Sequence, residues 1–144
     1  MTPNPPPPPK PPSRVHVAWA GGERFEAGRP GGATLRLDGT GETGQSPVDA
    51  LLSALASCTA VDVVEILAKR RTPVSALAVD AVGERATAVP ARFTRITLHY
   101  RIAGAGIERA DAERAIELAV TRYCSVRSSL DPAMPVEWTL ELDA

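Results

Sequence analysis

Several things are scarce in this sequence of 144 residues, and each scarcity removes a class of protein. There are two cysteines, too few for the bridged framework of a small secreted domain. Aromatic residues make up 4% of the chain, so Ala, Val and Leu must supply the core. Basic charge is not in excess: the formal net charge is −1, which leaves no electrostatic footprint for a nucleic-acid binder. No apolar segment of the signal-peptide kind follows Met1, so export is not expected and the cytoplasm is the expected location. The most apolar stretch is interrupted by Asp49, Asp62 and Glu65, so no membrane span is expected either. The glycine-rich run DGTGETGQ at positions 38–45 lacks the GK[ST] ending of a phosphate loop. Neither a C-x-x-C nor an H-x-x-x-H spacing is present, so Cys58, Cys124, His16 and His99 are not expected to hold a metal.

Proline, by contrast, crowds the first twelve positions. A segment of that composition cannot bury apolar area, and residues 1–13 are expected to form a disordered or polyproline II tail. Residues 14–144 are then one folded domain, long enough for a real core. Val15, Val17 and Trp19 alternate with Arg14, His16 and Ala18, the pattern of a half-buried strand. Short strands follow at Arg24–Glu26 and Thr34–Leu37, separated by glycine-containing turns. Later, Leu77, Val79, Ala81 and Gly83 alternate with Ala78, Asp80, Val82 and Glu84. In FTRITLHYRI, Phe93, Arg95, Thr97, His99 and Arg101 take one side and Thr94, Ile96, Leu98, Tyr100 and Ile102 the other. Pro90 separates these two strands, which predicts an antiparallel hairpin. The spacing then predicts an amphipathic helix over 107–123, a short helical piece capped by Ser125, and a last strand from Val136 to Leu142. The order βββ-α-ββ-α-β argues an α+β fold with antiparallel sheet.

Between the two groups of strands runs SPVDALLSALASCTAVDVVEILAKRR, Ser46 to Arg71. Ser46 is a good N-cap, Pro47 suits the first turn, and Asp49 places an acid at the positive end of the helix dipole. Lys69, Arg70 and Arg71 fall in the last turn, and Pro73 stops the run. Apolar residues cover more than one face, as in a buried helix. Asp62, alone among them, is read as a structural acid or as a partner for Arg70 or Arg71 of a second chain.

Cys58 sits in the middle of that helix. Its neighbours one turn away are Ala54, Leu55, Val61 and Asp62, none of which favours a thiolate. A reactive Cys58 therefore needs a cation from elsewhere in the fold or from a partner. Asp49 is out of phase with it and roughly 13 Å away along the helix axis. Cys124 lies at a helix-to-helix junction, with Arg122 and Arg127 close by, and on local chemistry it is the easier thiolate. Either cysteine can equally be a small buried filler of the core.

The Ser46–Arg71 stretch and the later RYCSVRSSL (Arg122–Leu130) together resemble the OsmC/Ohr family, the osmotically inducible and organic-hydroperoxide-resistance proteins. The similarity is to the OsmC-like branch, patterned SPxxxLLxALxxCxxxDVVxILxKxR and later KYCSV, and it covers about Val15 to Leu142. It implies the OsmC-like fold, antiparallel sheet wrapped around a long central helix, as an intertwined homodimer. It implies a thiol-dependent peroxidase for organic hydroperoxides, in oxidative stress defence, with Cys58 peroxidatic and Cys124 resolving. No bound cofactor is expected, only an external dithiol reductant such as a lipoyl protein, or a small thiol. The family's characterised peroxidases also use an Arg from the N-terminal hairpin and a Glu directly after the helix proline. Arg24, or second to it Arg36, is the candidate for the Arg. Val48 stands where the Glu belongs, and Asp49 follows one position late. The competing expectation is an OsmC-fold, stress-associated binding protein with weak or no peroxidase activity.

Overall fold

The alternating strands and the long apolar helix are all present in the computed structural model, which describes residues 2–143. Residues 2–15 have no regular secondary structure and are exposed. The chain divides into two compact units, Met1–Pro47 and Val48–Ala144.

The first unit is a three-stranded antiparallel meander, β1 (His16–Trp19), β2 (Arg24–Gly28) and β3 (Thr34–Asp38). The pairs Trp19↔Phe25 and Phe25↔Leu37 set its register. Gly21 and Gly22 both have positive φ, which makes the tight β1–β2 turn possible. All four β1 residues are exposed, Trp19 by 70%, so the half-buried reading of this strand does not hold within the single chain. A three-stranded sheet with no helix of its own unit to cover it leaves its apolar face in solvent. Beyond β3, Asp38 folds the polar loop around itself. Its two carboxylate oxygens accept from the N–H and hydroxyl of Thr40 (2.9 and 2.7 Å) and of Thr43 (3.0 and 2.6 Å). These four bonds hold the Asp38 carboxyl well below the usual carboxylate range.

Helix α1 (Pro47–Lys69) leads into the second unit, with Asp49 in its first turn and Lys69 in its last. It ends in a Schellman motif ahead of Pro73: Thr72 N–H bonds Leu67 O and Arg71 N–H bonds Ala68 O, each at 3.0 Å, with Arg71 at φ 64°. Only one stripe of α1 is buried, Leu55, Ala56, Thr59, Val63 and Leu67, while Val61 and Val64 are exposed. The expectation of burial on more than one face is therefore met on one face only. Nor do the acids disqualify α1 as a span by composition, since an 18-residue window reaches a mean hydropathy of 1.8. Its buried stripe instead packs into a protein core.

That core lies against one face of the sheet β4 (Ala76–Arg85), β5 (Phe93–Ala103) and β6 (Val136–Asp143), in the order β4-β5-β6. Ile96, Leu98, Tyr100 and Ile102 point inward from β5 and meet Ala112, Ala115 and Ile116 of α2 (Arg109–Leu118). β4 and β5 form the predicted antiparallel hairpin. β5 and β6 are parallel, which corrects the all-antiparallel expectation: the intervening helices carry the chain back to the end where β5 begins. Phe93 is another correction. A bulge pairs Arg85 with Phe93 and Glu84 with Arg95, so Thr94 is the extra residue and Phe93 turns into the core. The outer face is polar. His99 Nδ1 meets Thr139 Oγ1 at 2.7 Å, Arg101 pairs with Asp80 at 3.2 Å, and Arg95 pairs with Glu84 and Glu137.

The helix predicted over 107–123 is α-helical only to Leu118. Ala119–Tyr123 form a π-helical turn, closed by Cys124 N–H on Ala119 O at 3.0 Å. A four-residue helix, α3 (Ser125–Ser128), follows, and its N-cap is Cys124 rather than Ser125.

Candidate functional site

Two cysteines far apart in the chain meet inside the second unit. Cys58 is brought there by α1, half-buried, one residue from the inward-facing Thr59. Cys124 arrives from the opposite direction, at the step from the π-turn into α3, and is 3% exposed. Both are free thiols. Cys58 lies close enough to Cys124 to raise its thiol.

The environment of Cys124 reverses the local reading. Burial is the largest influence and pushes its thiol up to about 11, against the backbone N–H groups of Arg127 and Val126, which favour the thiolate. Cys58 adds to the upward push. Arg127 N–H reaches the sulfur at 3.3 Å, but its guanidinium turns away to the carbonyls of Asp131 (3.0 Å), Pro132 (3.5 Å) and Met134 (2.8 Å). The influences on Cys124 include no cation. Nearness in sequence put two arginines beside this cysteine; the fold spends one of them on the loop that follows α3.

Two further residues belong to the site and were not singled out by their sequence context. Tyr100, 1% exposed on β5, donates its hydroxyl to Thr59 Oγ1. Thr59 Oγ1 in turn donates to Ala56 O at 2.9 Å. Burial first, then the nearby Cys124 charge, raise the Tyr100 hydroxyl to about 12, with Thr59 working the other way. Tyr100 was legible as an inward position on its strand. Nothing in the sequence pairs it with Thr59.

The other candidates are placed as follows. Asp49 lies exposed in the first turn of α1. Val48 is partly buried and packs on the core. Arg24 belongs to the first unit, where its Nε bonds Gly21 O at 3.3 Å in the β1–β2 turn, and Arg36 pairs with Glu26 at 2.7 Å. Asp62 shares a half-open groove of about 520 Å³ between α1 and α2 with Glu65, Arg70 and Asp111. Arg70 pairs there with Asp111 at 2.7 Å. Burial, then the neighbouring Glu65, raise the Asp62 carboxyl.

The family profile described as OsmC-like protein matches residues 39–139. Protein YhfA of Escherichia coli strain K12 is 33% identical over 132 residues, covering 91% of this chain and 98% of that protein. Among solved structures, a hypothetical protein from Aquifex aeolicus VF5 superposes with a TM-score of 0.77 at 25% identity, over 91% of this chain and 97% of that one. An organic hydroperoxide resistance protein OsmC from Legionella pneumophila has the same fold, with a TM-score of 0.62 at 15% identity over 91% and 96% of the two chains.

Proposed function

The chain belongs to the OsmC-like family, and on that premise we propose that it is a thiol-dependent peroxidase for organic hydroperoxides, with Cys58 as the sulfur oxidised and Cys124 as the sulfur that resolves it. The observation that carries this reading is the thiol pair itself, a half-exposed Cys58 beside a buried Cys124 whose thiol it helps to raise. Cys58, the more exposed sulfur, is the one a peroxide reaches first, and Cys124 stands beside it to close the disulfide. A Cys58 thiolate attacks the peroxide oxygen, giving Cys58 sulfenic acid and an alcohol once a proton is taken up. The Cys124 sulfur then attacks the Cys58 sulfur, forming the disulfide and releasing water. An external thiol returns the pair to the reduced state, with no metal or bound cofactor in the cycle. The apolar surroundings of Cys58, which packs against the core, favour an alkyl or acyl peroxide over hydrogen peroxide.

A homodimer is part of the proposal. Val61 (55% exposed) and Val64 (40%) on α1, and Trp19 and Val17 on β1, are apolar surface that a second copy would cover. The reaction is expected in oxidative stress defence in the cytoplasm.

Val48 favours a second reading, a stress-associated binding protein of the same fold with little peroxidase activity. It places a packed apolar side chain where the family's peroxidases carry a Glu. One experiment separates the two. After one equivalent of cumene hydroperoxide, mass spectrometry should find a Cys58–Cys124 disulfide, and Cys58→Ser should abolish peroxide consumption. Persistence of both free thiols would favour the binding protein.

A further inference from the structure

A pocket of about 440 Å³ opens beside Cys124, and Cys58 is not among the residues that line it. Its wall includes Thr121, Arg122, Cys124, Arg127, Ser128 and Val136. Of the described residues that line it, none is acidic. The groove between α1 and α2 differs in kind: there, Asp62, Glu65 and Asp111 face Lys69, Arg70 and Arg114. We propose that the Cys58–Cys124 disulfide is reopened at Cys124, through this pocket, by a negatively charged thiol reductant. The inference rests on the disulfide cycle proposed above and adds to it the sulfur attacked, the route of approach and the charge of the reductant.

Thiol–disulfide exchange proceeds by attack of a thiolate along the line of the S–S bond, with the far sulfur leaving. An attacker on Cys124 must come from the side opposite Cys58, and the cavity that Cys124 lines and Cys58 does not is the route assigned to it here. The leaving group decides in the same direction. Attack on Cys58 would expel a Cys124 thiolate into a buried position where burial already opposes its ionisation. Attack on Cys124 expels a half-exposed Cys58 thiolate. The greater exposure of Cys58 works the other way, but access to the wrong sulfur does not remove the cost of the leaving group. Arg122 and Arg127 set the charge preference: an anionic thiol is drawn in and a cationic one held off.

The step balances. The incoming thiolate forms a mixed disulfide with the Cys124 sulfur, and the S–S electron pair leaves on Cys58. The second thiol of a dithiol, or a second monothiol, then displaces Cys124, which takes up a proton, and the reductant departs oxidised.

The disulfide for the test is made with diamide, so the result does not depend on peroxidase activity. The oxidised full chain is mixed with mercaptoethanesulfonate or with cysteamine, quenched early into N-ethylmaleimide, and peptide-mapped. The expected result is the thiol adduct on Cys124 and the maleimide on Cys58. The rate per thiolate at low salt should be about tenfold higher for the sulfonate. Arg122→Glu should erase or invert that preference, and salt should weaken it. An adduct on Cys58, or equal rates for the two reagents, would overturn the proposal while leaving the peroxidase reading intact. A chain that closes the disulfide with diamide but never with peroxide would sink the peroxidase and leave this route standing.

Discussion

The Tyr100 hydroxyl on β5 donates to Thr59 Oγ1 on α1, which passes a hydrogen bond on to Ala56 O. This chain of two bonds crosses the core from sheet to helix, one residue from Cys58, and both hydroxyls are buried. Removing either end tests it. Thr59→Val leaves a buried Tyr hydroxyl without its partner and should cost about 1–3 kcal/mol. Tyr100→Phe removes the donor but leaves Thr59 bonded to Ala56, and should cost about 0.5–1.5 kcal/mol. Urea midpoints of the two variants should fall in that order; equal midpoints would mean that the bond does not join the two elements.

Serine substitution separates the roles of the two thiols. Cys58→Ser should consume no cumene hydroperoxide. Cys124→Ser should complete one turnover and stop at the sulfenic acid, which dimedone captures and which excess peroxide carries on to the sulfinic acid. The reverse outcome, a dimedone adduct on Cys124 in Cys58→Ser, would exchange the assignments.

Alkaline pH should destabilise the native state through the same cluster. Cys124 is raised from 9.0 to about 11 and Tyr100 from 10.0 to about 12, so the unfolded chain releases these protons first. Their contribution is fully present below pH 9 and is lost progressively between about 9 and 12. Denaturation midpoints taken from pH 8 upward should therefore decline, and Cys124→Ala should flatten the earlier part of the decline.

In the first unit the sign is opposite. Asp38 is depressed by its four hydrogen bonds, so its contribution is present above the ordinary carboxylate range and is lost as the pH falls through and below it. Asp38→Asn should remove that acid sensitivity. Asp38→Ala should free the N–H groups of Thr40 and Thr43, seen as faster hydrogen exchange across positions 38–45.

Gly83 on β4 leaves room for the ring that the bulge turns inward. A Cβ there would fall 2.6 Å from Phe93 Cδ1 and 3.2 Å from Leu52 Cδ2. Gly83→Ala should cost about 1–3 kcal/mol by overpacking. A partial recovery of the midpoint in Gly83→Ala/Phe93→Leu would identify the ring as the obstacle.

Much of this protein could be read before folding. The strand alternation, the cap and stop of α1, the β4–β5 hairpin and the signature around each cysteine are local patterns. Local patterns survive because they depend on residues a few positions apart. The failures were of another kind. A bulge at Thr94 changed which side Phe93 faces, because one extra residue inverts a period of two. The outer face of α1 is exposed because hydrophobicity alone does not say which neighbours a single chain supplies.

The sequence by itself determined the elements, their order and the two cysteine signatures that carry the family resemblance. Only the tertiary structure decided their chemistry. Near neighbours in the chain made Cys124 look like the easier anion, with two arginines at hand. In the fold, burial dominates, one guanidinium is drawn off to backbone carbonyls, and Cys58 arrives from a distant helix to add to the upward push on the Cys124 thiol. Desolvation and long-range contact belong to the packed chain, and no stretch of residues carries them alone.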